Sequence, residues 1–208
     1  MALDLLIQNN RIGNILNVRC HKPARCDIGQ CKRINHVCAV VQQLTQHIGG
    51  SESKYAAVGI LIVNSNEVLF IKRSEEMPTH KGHIAFPGGR SEENDMNIVD
   101  TASREVSEEL LIPIDSFKPL GYLEPINTIE YLYKVHPILF TIDFKPTTFD
   151  NKEVQSVHYA SILDLNNPLN WEYKGRYTDD WVFKIDKEEL WGASAKMVRN
   201  LLNIQLVI

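Results

Sequence analysis

Three glutamates in one short stretch, Glu105, Glu108 and Glu109, have the residue type and the spacing that metal chemistry requires. Residues three and four apart are neighbours on an α-helix, so a helix here would bring the three carboxylates together. Like charges at this spacing repel, and a hard divalent cation such as Mg²⁺ or Mn²⁺, which prefers oxygen ligands, would remove the repulsion. The pattern indicates a metal site, while a solvated acidic helix face is the alternative for the three glutamates taken alone.

The segment that carries the glutamates has the pattern of an amphipathic helix. Apolar side chains recur at intervals of three and four between Ile98 and Leu110 and form one stripe. Arg104 lies four residues before Glu108, so it can reach that carboxylate and orient it. We therefore predict a helix from Ile98 to Leu110 that buries the apolar stripe and presents the carboxylates on a neighbouring face.

A segment rich in glycine and proline precedes the helix. Between Ser74 and Arg90 the chain has prolines at 78 and 87 and glycines at 82, 88 and 89, which predicts a loop without a regular element. Gly88 and Gly89 permit tight backbone geometry and a close approach to a ligand. A loop whose backbone faces carboxylates is the expected partner of a metal and phosphate site. This context favours a functional site over a solvated face.

The rest of the chain predicts a helical extension followed by a layered α/β or α+β domain. Residues 1–54 form the extension, in which Ile34 to Ile48 has a helical apolar pattern and ends at two glycines. Residues 55–208 form the domain. Its predicted elements are a hairpin of Ala56–Val63 and Val68–Ile71 around an Asn64-Ser65-Asn66 turn, strands at Tyr131–Ile142 and Val157–Ala160, and a helix at Gly192–Ile204.

Composition limits the classes of ligand and the compartment. The net charge of −4 over 208 residues gives no general attraction to nucleic acid or to an anionic membrane, which favours a small-molecule substrate. We find no apolar run long enough to cross a bilayer and no secretory signal pattern, so we expect a cytoplasmic protein.

All four cysteines fall in the N-terminal extension, at Cys20, Cys26, Cys31 and Cys38. Clustered cysteines can form a structural zinc site, but such sites usually pair cysteines two to four residues apart, and only Cys26 and Cys31 meet that spacing. Free thiols in a reducing cytosol are the alternative.

The segment from Gly89 to Ile112 resembles the Nudix box, G-x5-E-x7-R-E-U-x-E-E-x-G-U, in which U is a bulky aliphatic residue. It departs from the box in three places: Asp95 replaces the first Glu, one extra residue precedes Arg104, and Leu111 replaces the last Gly. Because a left-handed conformation costs Leu about 1 kcal/mol, we expect the helix to end differently, helped by Pro113. The resemblance implies an α/β/α sandwich with a mixed sheet and metal-dependent hydrolysis of a nucleoside diphosphate derivative, with Glu105, Glu108 and Glu109 as metal ligands.

A second signature is similar to that of the coenzyme A pyrophosphatase branch, L-L-T-x-R-[SA]-x3-R-x3-G-x3-F-P-G-G. The chain follows this signature in register from Leu69 to Gly89, with Phe70 and Ile71 in place of the second Leu and the Thr, and Pro78 in place of the second Arg. Trp191-Gly192 resembles a helix start of the same branch. The resemblance implies cleavage of coenzyme A to 3′,5′-ADP and phosphopantetheine. The predicted substrate-binding residues are Lys72, Arg73, His80, Gly88 and Gly89, with further basic character from Lys81 and His83. Arg73 is the strongest phosphate clamp, because its planar guanidinium matches phosphate oxygens.

The proposed reaction uses the metal to neutralise the pyrophosphate and to lower the pKa of an attacking water, with a carboxylate as the alternative general base. Glu153 is the candidate for a further metal ligand from outside the helix, followed by Glu124. Another nucleoside diphosphate substrate, such as ADP-ribose or a dinucleotide, stays open, as do a binding module without catalysis and a homodimer formed through residues 1–54.

Overall fold

The computed structural model describes residues 55–127 and 134–206. Several predictions from the sequence lie outside these ranges: the helical extension of residues 1–54, the zinc site or free thiols of its four cysteines, and the first three residues of the strand expected from Tyr131. Within the described ranges, no helix is long and apolar enough to cross a membrane.

Eleven strands and three α-helices make up the described ranges. The strands are β1 (Ala56–Val63), β2 (Glu67–Arg73), β3 (Ile84–Ala85), β4 (Gly88–Arg90), β5 (Lys118–Tyr122), β6 (Ile126–Asn127), β7 (Lys134–Ile142), β8 (Val154–Ser161), β9 (Trp171–Tyr173), β10 (Trp181–Ile185) and β11 (Glu188–Leu190). The α-helices are α1 (Ile98–Leu110), α2 (Ile162–Leu165) and α3 (Gly192–Leu202), and short 3-10 helices lie at Ile114–Ser116 and Pro168–Asn170.

The main sheet is mixed and is centred on β1. Strand β1 pairs in parallel with β7 along its whole length and antiparallel with β2 across the predicted turn, so the predicted hairpin is confirmed. Strand β8 pairs antiparallel with β2 on its other edge, and β5 and β6 pair antiparallel with β7. The apolar run of β1 follows from this central place, because a strand covered on both faces can be apolar throughout.

The prediction of an irregular loop from Ser74 to Arg90 is wrong in its second half. Strand β3 pairs with the end of β2, and β4 pairs with the start of β1, so both short strands are inserted where the β1–β2 hairpin opens. The glycines do not prevent pairing here. They are required for it, because a Cβ on Gly88 would overlap the backbone of Ala57 and Val58 on the neighbouring strand.

Each face of the main sheet is covered, and this confirms the predicted α/β/α layering. Helix α1 packs on one face, where its apolar stripe meets buried residues of β1, β2 and β7. The opposite face is covered by α3 and by a second, antiparallel sheet of β9, β10 and β11. Gly59 in β1 brings the helix close to the sheet, because a Cβ there would overlap the Val106 side chain.

Helix α1 spans the predicted residues, and both of its ends have a local cause. The Asn97 side chain accepts hydrogen bonds from the backbone N–H of Val99 and Asp100, which satisfies two unpaired donors of the first turn. At the other end, the expectation that the helix would avoid a left-handed residue is wrong. Leu111 adopts φ 51° and ψ 42°, and the backbone N–H groups of Leu111 and Ile112 both donate to the Ser107 carbonyl.

Candidate metal and phosphate site

The three glutamates of α1 lie on one side of the helix at different depths. Glu109 is buried, with 2% of its surface exposed. The side chain of Glu105 is 14% exposed, whereas that of Glu108 is 61% exposed. The cluster therefore runs from the sheet out to solvent, and water and a ligand have access to it from the side of Glu108.

Arg104 is fixed at the outer edge of this cluster. Its Nε and Nη2 donate to the two carboxylate oxygens of Asp95, each at 3.1 Å, and Nη2 also donates to the Arg90 carbonyl at 2.9 Å. Its Nη1 lies 3.0 Å from Glu105 Oε1 and 2.9 Å from Glu108 Oε2. The predicted contact with Glu108 is present, and the geometry adds Glu105 to it.

Asp95 stands where the motif has a longer glutamate. It binds Arg104 through two parallel hydrogen bonds. Burial by itself raises the pKa of Asp95, but hydrogen bonds from Arg104 and from the Glu92 backbone outweigh it and lower that pKa. From the sequence, Asp95 was only a departure from the motif. The signal that could have identified it was the pairing of an acid and an arginine within one motif.

The ionised forms of Glu105 and Glu109 are unfavourable at this site. Burial raises the pKa of Glu105 to about 7, although Arg104 opposes the shift. Burial also raises the pKa of Glu109 well above its ordinary value, and the negative charges of Glu105 and Glu153 act in the same direction. A bound cation would reverse both shifts, because it favours the ionised form of each ligand.

The strand β4 lies directly against Glu105 and Glu109. The backbone N–H of Gly88 points at Glu109 Oε1, with the N and O atoms 3.5 Å apart. A Cβ on Gly89 would overlap the Glu105 carboxylate. The two predicted glycines thus allow the backbone to approach the acidic cluster, as the sequence pattern suggested.

Three buried side-chain polar atoms have no hydrogen-bond partner in the described part of the chain: Glu109 Oε2, Arg73 Nε and Arg199 Nε. The first two belong to residues whose charges interact. The positive charge of Arg73 lowers the pKa of Glu109, which places the guanidinium near this carboxylate. Buried polar atoms without partners are rare, and a pair of opposite charge is suited to a ligand that contains both a cation and an anion.

Glu153 joins the cluster from outside the helix. It stands immediately before β8, and its carbonyl accepts a hydrogen bond from the Ser74 N–H at 2.8 Å. The negative charge of Glu153 raises the pKa of both Glu105 and Glu109, so it acts electrostatically on the cluster. The other candidate, Glu124, is exposed in the segment between β5 and β6.

The carboxylate oxygens of this cluster are the ligand type that a hard divalent cation prefers, although they do not converge on one point in the structure. Among the described residues, no group of three His, Cys, Asp or Glu side chains already converges as a metal site. Arg104 occupies one oxygen each of Glu105 and Glu108, and Glu109 keeps a buried oxygen unpaired. Glu105, Glu108 and Glu109 would hold such a cation, and it would give the unpaired oxygen of Glu109 a partner.

Lys72 and His80 have contacts with residues other than the glutamates. The Lys72 Nζ binds Glu188 Oε1 of β11 at 2.7 Å, on the face covered by the second sheet. His80 contacts the His83 ring, at 5.6 Å between centroids. The part of Lys72 and His80 in substrate binding stays a prediction.

Comparison with known proteins shows the family of the chain. The NUDIX domain family model matches residues 54–182, and the chain belongs to the Nudix family. It is therefore a Nudix hydrolase, and enzymes of this family act on small nucleoside diphosphate derivatives and generally use divalent metals such as Mg²⁺.

Individual relatives are more distant. The chain is 28% identical over 163 residues to the uncharacterized Nudix hydrolase NudL of Yersinia pestis (strain Pestoides F), covering 74% of this chain and 81% of that protein. The structure of DR0079 from Deinococcus radiodurans aligns with a TM-score of 0.48 at 14% identity, over 74% of this chain and 88% of that one. A C. elegans Ap4A hydrolase aligns with a TM-score of 0.44 at 19% identity, over 52% and 80%.

Proposed function

We propose that this protein is a divalent-metal-dependent pyrophosphohydrolase that cleaves coenzyme A, or a derivative of it, into 3′,5′-ADP and phosphopantetheine. The observation that carries the proposal is the buried pair of Glu109 Oε2 and Arg73 Nε, each without a partner. A cation bound to Glu109 and a phosphate bound to Arg73 would satisfy both atoms at once. The choice of coenzyme A rests on the signature from Leu69 to Gly89.

Glu105, Glu108, Glu109 and Glu153 would hold Mg²⁺ or Mn²⁺. When bound, the metal supplies charge neutralisation of the pyrophosphate and lowers the pKa of an attacking water. Arg104 holds Glu105 and Glu108 in place through its own fixed contacts with Asp95 and Arg90. It is therefore a positioning residue.

The remaining groups bind and orient the phosphates and handle the proton. Arg73 can bind two phosphate oxygens through its planar guanidinium, and the backbone of Gly88 and Gly89 allows the diphosphate to lie close to the carboxylates. As an alternative to its role as a metal ligand, Glu105 is the carboxylate suited to take the proton of the attacking water. Its side chain is partly exposed and its pKa is raised to about 7 by burial, whereas Glu109 is buried and the Glu108 side chain is 61% exposed.

The test is a product analysis with the full chain. Coenzyme A, acyl-coenzyme A, ADP-ribose and diadenosine polyphosphates are incubated with Mg²⁺ or Mn²⁺, alongside the variant Glu108→Gln and the control Glu172→Gln, an exposed glutamate of β9. We expect 3′,5′-ADP from coenzyme A, loss of most turnover in Glu108→Gln with an unchanged fold, and full activity in the control. Unchanged activity in Glu108→Gln would refute the metal assignment.

One residue favours a second candidate substrate. Pro78 stands where the coenzyme A branch has its second arginine, so a cation expected for that substrate is missing at this position. A Nudix hydrolase of ADP-ribose or of a dinucleotide needs no cation for a 3′-phosphate. Activity confined to those compounds would establish this alternative, and an absence of hydrolysis across the whole panel would indicate a binding module.

A further inference from the structure

A serine, a histidine and an aspartate form a continuous chain of hydrogen bonds between the two sheets. The Ser156 Oγ lies 2.9 Å from His158 Nε2, and the His158 Nδ1 lies 3.0 Å from Asp186 Oδ2. Ser156 and His158 are two residues apart on β8, so their side chains stand on the same face of the main sheet. Asp186 comes from the turn between β10 and β11 of the second sheet.

This chain of hydrogen bonds lies on the face of the main sheet opposite to α1. Along β8, Val157 and Tyr159 pack in the hydrophobic cluster that contains α1, whereas Ala160 packs in the cluster that contains the second sheet. Because strand residues alternate between faces, Ser156 and His158 share the face of Ala160. The three residues are therefore separate from the glutamates of α1, and the proposed metal site does not use them.

The partners of the imidazole determine where its proton is. An ionised carboxylate only accepts hydrogen bonds, so the His158 Nδ1 carries the proton that it donates to Asp186. In a neutral imidazole the other nitrogen is then unprotonated, and His158 Nε2 accepts from the Ser156 hydroxyl. A nucleophile, a general base and an orienting carboxylate stand in this order in acyl transfer, and such a site is recognised by its geometry and not by sequence position.

The serine has access to solvent and a cation beside it. Ser156 is partly exposed, and the side chain of Asp186 is 73% exposed. Lys72 is the residue directly opposite Ser156 on β2, and the Cβ atoms of such a pair lie about 5 Å apart on one face. The Lys72 Nζ binds Glu188, which uses one of its three N–H donors. Another donor is available for a negative oxygen that develops beside Ser156.

We propose that Ser156 and His158 form a second catalytic site, which hydrolyses activated esters or thioesters through an acylated Ser156. The Ser156 Oγ attacks the acyl carbon while His158 Nε2 takes the hydroxyl proton, and the bond to the leaving group breaks as that group receives this proton. A water then attacks the acyl carbon and gives a proton to His158 Nε2, and the bond to Ser156 breaks as Oγ takes the proton back. Lys72 stabilises the negative oxygen, and Asp186 is a positioning residue that fixes the tautomer of the imidazole.

The test is reaction of the full chain with a fluorophosphonate, a reagent that modifies activated serines. EDTA is present, so metal-dependent hydrolysis does not contribute. We expect peptide mass spectrometry to locate the label on Ser156. After subtraction of the rate in buffer, hydrolysis of p-nitrophenyl acetate should fall about 100-fold in Ser156→Ala and in His158→Gln, because a positioned general base contributes at least that factor.

The matched control is Ser161→Ala, at the end of the same strand. The Ser161 Oγ accepts hydrogen bonds from the backbone N–H of Leu163 and Asp164, where it caps α2. This variant should keep the labelling and the hydrolysis of the wild type. Asp186→Asn should lower the rate less than His158→Gln, because the general base is kept and only the partner that fixes its tautomer is changed.

A chain of hydrogen bonds that only fastens the second sheet to the main sheet would give a different result. Ser156 would stay unlabelled, and His158→Gln would lower the melting temperature without a change in hydrolysis per folded molecule. Either an unlabelled Ser156 or equal hydrolysis in wild type and folded Ser156→Ala overturns the proposal. The position of the label is read on the wild-type protein, so it decides the question even where a variant does not fold.

Discussion

Two buried carboxylates of this protein, Glu109 and Asp180, have opposite electrostatic surroundings. Asp180 accepts three hydrogen bonds from Arg176, and its pKa is lowered. Glu109 has one oxygen without a partner and only a long contact from Gly88 to the other, and burial raises its pKa. A buried charge is tolerated when it is paired, so Asp180 stabilises a turn, whereas Glu109 lacks such a partner and is the carboxylate that we propose binds a metal.

The difference separates a structural carboxylate, Asp180, from one for which we propose a functional role, Glu109. Both residues are acidic, both are almost fully buried, and both lie near an arginine, so burial or residue type alone would not distinguish them. What distinguishes them is whether the protein itself completes the hydrogen bonds. Sites that bind charged ligands keep groups that are poorly satisfied until the ligand arrives.

The largest expected effect comes from neutralising the unsatisfied carboxylate. Glu109→Gln should lower kcat by about 1000-fold, because the charge stabilisation that a bound metal supplies is worth several kcal/mol. The melting temperature of the metal-free protein should stay the same or rise, because a buried unpaired charge is removed. A fall in both activity and stability would mean that Glu109 is a structural residue like Asp180.

Substitution of Asp180, whose hydrogen bonds are completed by Arg176, should lower stability and leave turnover unchanged. Asp180→Ala should lower the melting temperature by roughly 5 °C, because the three hydrogen bonds that hold the turn at Arg176 are lost. Thermal unfolding followed by circular dichroism would measure the shift. Metal-dependent turnover per folded molecule at saturating substrate should be retained. Its loss would mean that Asp180 is also needed for activity and does not differ from Glu109 in role.

The pH dependence of stability should also differ in sign between the two regions. The pKa of Glu105 in the folded protein is about 7, above the ordinary value of 4.5, so the folded state binds more protons than the unfolded state in this window. Stability of the metal-free protein should therefore fall as pH rises from about 4.5 to 7. Asp180, with a pKa of about 2 against an ordinary 3.8, contributes stability that is lost only as pH falls through that range.

Thermal melts in EDTA between pH 4.5 and 8 would measure the effect of Glu105, with Glu105→Gln as the variant that should flatten the profile. Added Mg²⁺ should raise the melting temperature more at pH 8 than at pH 5, since it binds the ionised carboxylates. A metal-free profile that rises over this window would contradict the raised pKa.

The smallest expected effect concerns the end of the helix that carries the glutamates. Leu111 is in the left-handed region at φ 51° and its side chain is 57% exposed, so little burial is lost when it is replaced. Leu111→Gly should stabilise the protein by about 0.5 kcal/mol, since the relief of left-handed strain exceeds the entropy cost of glycine only slightly. Chemical denaturation would measure it, and Leu111→Ala, which keeps the strain, should bring no such gain.

The amino-acid sequence predicts the elements with strong local signals. Helix α1 begins and ends at the predicted residues, because its apolar stripe and the capping Asn97 act within a single segment. The β1–β2 hairpin follows from two apolar runs around a polar turn. The family resemblance added the layered fold, which periodicity alone left open between α/β and α+β.

Features that depend on distant contacts could not be predicted in this way. Pairing of β4 with β1 requires glycine at 88 because of the neighbouring backbone, and a glycine-rich segment reads as a loop unless that neighbour is known. The different partners of Lys72, which binds Glu188 of the second sheet, and of Arg73, whose charge acts on Glu109 of α1, depend on which layer covers each face of the sheet. The edge-on contact between His83 and Trp191 joins residues that are far apart in the sequence, so no local pattern could indicate it.

The close packing of helix α1 at Gly59 has a consequence for protein engineering. The helix is pressed to the sheet where Val106 meets this glycine, one residue from Glu105 and two from Glu108. Any larger side chain at position 59 would push helix α1 away from the sheet. The carboxylates that the helix carries would be displaced with it. Libraries designed to change substrate selectivity should therefore keep Gly59 and Val106 constant and vary residues 75–81, whose sequence can diversify without altering the height of the acidic helix above the sheet.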